Sequence, residues 1–95
     1  MPKVTVRVFA TFRELLGKRT IELDTAVDDV EGIIRLIADT YQPSFKKAVV
    51  DPQTGQVRKG FSVLLNGQDI TFLDGLRTRL KDGDTIALFS PVAGG

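Results

Sequence analysis

Residues 28–43 read DDVEGIIRLIADTYQP, the stretch with the clearest helical period in the chain. Val30, Ile33, Ile34, Ile37, Ala38 and Tyr41 recur at spacings of three and four, which lines them up on one apolar stripe. Asp28 and Glu31 stand at N-cap and N3 spacing, and carboxylates suit the positive end of a helix dipole. Pro43 stops the run, because proline has no amide hydrogen and clashes with the preceding turn. The spacing predicts one helix from about Asp28 to Tyr41. The acidic trio Asp28, Asp29 and Glu31 reads as helix-start chemistry in preference to a metal or acid–base cluster.

On both sides of this helix the pattern is that of strands. Val4, Val6 and Val8 alternate with Lys3, Thr5, Arg7 and Phe9, the period of a half-buried strand over Pro2–Phe9. TFRELLG (11–17) reads as a short helical turn, with Thr11 and Glu14 at capping-box spacing and Gly17 to end it. RTIELD (19–24) is a second strand, Ile21 and Leu23 inward, joined to the first by a hairpin-like return. After Pro43 the pattern weakens until Gly60, and DPQTGQ (51–56) is a turn. FSVLLNGQDI (61–70) is a strand running into an Asn-Gly hairpin turn. Leu73, Leu76 and Leu80 suggest a compact loop with a helical turn, closed by KDGD (81–84). TIALFS (85–90) is the last strand, with Ile86 and Leu88 inward and Ala87 and Phe89 outward.

These elements add up to an α+β domain, a mixed sheet of four or five strands with one main helix across one face. The order is compatible with the β-grasp, or ubiquitin-like, fold. Val4, Val6, Val8, Ile21, Leu23, Ile33, Ile34, Ile37, Val63, Leu65, Ile86 and Leu88 are the expected core. If the first and last strands are central neighbours, Phe9 and Phe89 lie together on the face away from the helix. Leu64, outward by alternation from Val63 and Leu65, should border them. Adjoining exposed apolar residues of this kind suggest a binding patch.

Composition narrows the chemistry. Ninety-five residues suffice for one domain. Thirteen basic residues against twelve acidic leave a net charge of +1, with no excess to drive binding to a phosphate backbone, so no nucleic-acid partner is expected. Arg58, Lys59, Arg77, Arg79 and Lys81 lack interleaved aromatics and read as a solvated face. No apolar run approaches the roughly 18 residues of a membrane span, and MPKVTVRVFA has no signal-peptide core; no membrane contact and a cytoplasmic location are expected. The chain contains neither Cys nor His, which removes disulfides, zinc-thiolate sites, thiol nucleophiles and histidine triads. It carries no Gly-rich nucleotide-binding loop. Its chemistry is more readily done to it than by it.

VLLNGQDITFLDGLRTRLKDGDTIALFSPVAGG (63–95) resembles the ubiquitin-like sulfur carriers, a family that includes the molybdopterin synthase small subunit, the thiamine-pathway carrier and the archaeal small modifier proteins. The shared features are the Asn-Gly turn, the Leu-rich loop, the Lys-Asp-Gly-Asp turn, the final strand and the terminal Gly-Gly. VRVFATFRELLG (6–17) is also similar to molybdopterin synthase small subunits. The family often has two prolines before Val-x-Gly-Gly, and here Ser90 takes the place of the first. Read structurally, Ser90 is a residue at the end of a strand.

The resemblance implies that residues 1–90 form the domain and 91–95 a protruding, mobile tail whose last residue, Gly95, is the covalent site. An ATP-dependent activating enzyme would adenylate that carboxylate, which could then take up sulfur as a thiocarboxylate or pass to a lysine amine. Gly94 and Gly95 suit a narrow active site because they lack a Cβ and tolerate most backbone conformations. Pro91 stiffens the exit from the strand and keeps the tail out of the sheet. The chain itself would bind no cofactor and no metal. The resemblance points first to the small subunit of molybdopterin synthase, partnered by the large subunit. Conjugation to lysines as a protein modifier, or a non-covalent interaction module, are the alternatives. Phe9, Leu64, Phe89 and Gly94 would contact the partners.

Overall fold

Alternating valines build the strand from which the sheet grows. In the computed structural model, which describes residues 2–90, β1 (Lys3–Phe9) turns Val4, Val6 and Val8 into the core and leaves Lys3 and Arg7 exposed. β2 (Thr20–Asp24) returns antiparallel to it, with Val6 opposite Ile21. β3 (Ser62–Leu65) and the two-residue β4 (Gln68–Asp69) form a second hairpin, and β5 (Thr85–Phe89) lies between the hairpins. The sheet order is β2-β1-β5-β3-β4, with β1 and β5 parallel and every other pair antiparallel. This is the expected β-grasp arrangement.

The helical layer is richer than the sequence pattern indicates. The main helix, α2 (Val30–Thr40), buries Val30, Ile33, Ile34, Ile37 and Ala38 against the sheet, as its stripe predicts. Its cap lies one residue later than expected. Asp29, not Asp28, is the N-cap, and its Oδ1 accepts the Gly32 N–H at 2.7 Å. Asp28 instead faces Arg79 at 3.3 Å, and Glu31 pairs with Arg35 one turn on at 2.9 Å. The acidic trio is therefore accounted for by a cap, one exposed ion pair and one part-buried ion pair, and no metal-binding group of three ligands occurs among the described residues.

Pro43 ends α2, and it also begins a helix that the sequence reading missed. α3 (Pro43–Val49) has Pro43 in its first turn, where a missing N–H costs nothing. It buries Phe45 and Val49, one helical turn apart. Phe45 meets Phe12 edge to face at 5.4 Å, and Phe12 meets Phe61 in the same way at 5.5 Å. Phe12 comes from the short α1 (Thr11–Leu16), whose Leu16 is also buried. Phe12 and Phe45 belong to the same core cluster as the buried residues of α2, and Phe61 packs against it. Of the expected core residues, Leu23 is only partly buried and packs against the rest.

Two polar turns tie the hairpins to β5. Asn66 and Gly67 both adopt positive φ, as a two-residue hairpin requires. The Asn66 side chain accepts the Thr85 N–H at 2.9 Å and donates to Asp84 Oδ1 at 3.0 Å. Asp84 is buried, and its Oδ2 accepts the Lys81 N–H at 2.7 Å. Between these turns the chain makes 3-10 turns at Ile70–Phe72 and Gly75–Arg77. Leu80 of the Leu-rich loop reaches the core, Leu76 packs against it, and Leu73 is exposed. No helix among the described residues is long and apolar enough to cross a membrane.

Candidate functional site

The site is built where the two central parallel strands end. Alternation along β1 puts Phe9 on the face away from α2, and alternation along β5 does the same for Phe89. The parallel register sets them directly opposite each other. Their rings stack with centroids 4.5 Å apart and planes 6° from parallel. Leu64 joins them on the same face: it pairs with Ala87, the outward residue preceding Phe89 on β5, and is half-buried. Phe89 remains 36% exposed although it is a large apolar side chain. The structure thus stacks Phe9 on Phe89 as expected and places Leu64 on the neighbouring strand, opposite Ala87. Gly94 and Gly95 lie outside the described residues.

Two guanidinium groups frame the stack. The Arg7 guanidinium lies 5.3 Å from the Phe9 ring centroid and that of Arg13 5.8 Å, within the range of cation–π attraction. Arg7 follows from the strand alternation that also orients Phe9. Arg13 comes from α1, and its Nε is buried without a hydrogen-bond partner among the described residues. The patch therefore combines a stacked apolar pair with two guanidinium groups, both beside Phe9.

Ser90 directly follows β5, at the end of the strand as expected, and the structure adds a contact. It is 6% exposed, and its Oγ accepts the Thr11 N–H at 3.0 Å. The expected capping box of Thr11 and Glu14 is absent. Thr11 is already inside α1, Ala10 holds the cap position without a side-chain bond, and Ser90 supplies the cap from the other end of the chain. Sequence reading could not have found this pair, because helix-cap rules look only at neighbours along the chain.

A second concavity, of about 440 Å³, opens beside β3 between Val57–Val63 and the 3-10 turns. Its lining includes Arg58, Lys59 and Asp69, and the stacked aromatics are not part of it. Phe72, 80% exposed, and its chain neighbour Leu73, also exposed, are apolar residues on the loop that follows β4.

Comparison with known proteins agrees with the architecture. The profile of the ThiS family matches residues 6–95. Small archaeal modifier protein 3 of Haloferax volcanii is 37% identical over 94 residues, covering 98% of this chain and 99% of that protein. The solution structure of small archaeal modifier protein 1 from Methanosarcina acetivorans superposes with a TM-score of 0.84 at 32% identity, over 100% of this chain and 98% of that one. A Pyrococcus furiosus protein described as subunit 1 of a molybdopterin converting factor superposes with a TM-score of 0.74 at 27% identity, over 97% of this chain and 100% of that one.

Proposed function

We propose that this chain, which belongs to the ThiS family of ubiquitin-like sulfur carriers and modifiers, is activated at the carboxylate of Gly95. A free carboxylate resists nucleophiles because its charge is shared over two oxygens. Attack of that carboxylate on the α-phosphorus of ATP, held by a separate activating enzyme, would release pyrophosphate and leave a mixed anhydride with AMP. A sulfide-equivalent nucleophile would then expel AMP and give the thiocarboxylate. The domain acts as the handle: its sheet presents the docking face, and the segment beyond Ser90 is the reagent.

One observation carries this reading. The Phe9–Phe89 stack sits at the end of β5, one residue before Ser90, and Gly95 lies five residues beyond Ser90 in the sequence. A partner that grips the stack is thereby within reach of the terminal carboxylate, since five extended residues span about 17 Å. Phe9, Phe89 and Leu64 dock both the activating enzyme and the sulfur acceptor, and Gly94 allows close approach in the active site. ATP–pyrophosphate exchange with the activating enzyme of the same organism tests this. Exchange supported by the full chain but not by one lacking Gly95 supports the assignment, and equal exchange refutes it.

For the destination of the sulfur, we propose the small-subunit role in molybdopterin synthase, supported by VFATFRE and PVAGG and by the likeness to the Pyrococcus furiosus protein. In that role the thiocarboxylate enters the large subunit. A second reading, conjugation to lysine amines, is favoured by the 37% identity to small archaeal modifier protein 3. Co-purification separates the two: a stable large-subunit complex supports the first, isopeptide-linked lysines the second.

A further inference from the structure

We infer that Ser90 is a positioning residue, fixing the direction in which the C-terminal segment leaves the domain relative to the Phe9–Phe89 face. This rests on activation at Gly95 as proposed above, and it assigns a role to a residue at which neither docking nor chemistry takes place. A hydroxyl buried to 6% exposure is costly unless hydrogen-bonded. Ser90 meets that condition through a bond from the Thr11 N–H to its Oγ at 3.0 Å, across 79 positions of sequence.

The surroundings show why the bond is more than a helix cap. Ala10, between Phe9 and Thr11, has φ 55° and ψ −130°, a conformation that residues with a Cβ rarely adopt and that stores strain. That kink turns the chain out of β1 so that the Thr11 N–H can meet the end of β5. The first amides of a helix have no partner within it, and α1 takes Ser90 as its acceptor although Ala10 provides none. The bond therefore joins the two segments that leave the parallel pair, Phe9-Ala10-Thr11 and Phe89-Ser90. Each begins at a ring of the stack. The tail root is clamped one residue beyond the docking face and one residue before Pro91.

A clamp at this place matters because of leverage. Drawn out straight in a partner's channel, five residues would span about 17 Å, and a swing of roughly 10° at the root would then move the far carboxylate by about 3 Å. Displacements near 1 Å can already cost large factors in rate when a reacting group must meet a fixed partner. Holding Ser90 reduces the directions the arm must search after docking. Removing the clamp should accordingly slow the step that follows docking and leave docking itself nearly unchanged.

Ser90→Ala removes the acceptor, and Ser90→Thr retains it. Because the chain has no cysteine, spin labels can be placed at Val92→Cys and at the exposed β2 residue Glu22→Cys. The expected result is a broader distance distribution in Ser90→Ala than in the otherwise unaltered labelled chain, restored by Ser90→Thr. In pyrophosphate exchange, Ser90→Ala should lower kcat about fivefold, the worth of one ordinary hydrogen bond, with KM changed less than twofold. Equal distribution widths, or a lowered melting temperature with unchanged kcat, would overturn the inference and leave Ser90 a structural cap. The label measurement needs no activating enzyme. If the unaltered chain supports no exchange, the Gly95 reading fails on its own, while the widths still decide whether Ser90 clamps the tail root.

Discussion

Phe9 and Phe89, eighty positions apart in the chain, face each other across two parallel strands with their rings 4.5 Å apart. Both lie on the sheet face opposite the helices, so their contact serves the surface more than the core. Phe9→Ala combined with Phe89→Ala is expected to leave the domain folded by circular dichroism. Affinity for the activating enzyme and for the sulfur acceptor should fall by about 2 kcal/mol or more, the loss typical of aromatic hot spots. A folded double variant that binds both partners normally would place the docking face elsewhere.

Gly32 gives a prediction opposite to helix propensity. Alanine normally stabilises a helix by about 1 kcal/mol relative to glycine. Here an added Cβ would stand 2.4 Å from Val27 Cγ1 and 2.9 Å from Asp29 Oδ1, the oxygen that caps α2. Crowding the cap puts at risk the roughly 1 kcal/mol that such a bond contributes, and the collision with Val27 adds strain. Gly32→Ala should therefore lower the melting temperature, and Val27→Ala in the same chain should recover part of the loss. A rise in melting temperature for Gly32→Ala alone would show that the neighbours yield freely.

Phe45 tests the weight carried by α3. It is fully buried and packs edge to face against Phe12. Phe45→Ala should cost about 3–5 kcal/mol in urea unfolding, the range for deleting a buried aromatic ring. A cost below about 1 kcal/mol would mean that α3 rests on the domain without completing its core.

The parts of the fold legible in the sequence were those with a local period. The valine alternation of β1, the stripe of α2 and the Asn-Gly turn each appear as expected, because each is set by residues a few positions apart. The meeting of Phe9 and Phe89 followed once the two strands were taken as neighbours, since alternation fixes the outward face. α3 was hidden because it is only seven residues long and shows the period at just Phe45 and Val49. The bond made by Ser90 is illegible in the sequence for a different reason. Its partner, Thr11, lies at the other end of the chain, and only the fold brings the two together.

The most direct measurement is the intact mass of the chain after incubation with ATP, its activating enzyme and a sulfur source. The full chain should gain the mass difference of one oxygen replaced by sulfur, and fragmentation should assign it to Gly95. The chain lacking Gly95 should keep its original mass while melting at nearly the same temperature. Sulfur incorporated equally well without Gly95, or located anywhere but at the C-terminal carboxylate, would contradict the assignment of that carboxylate as the reactive group.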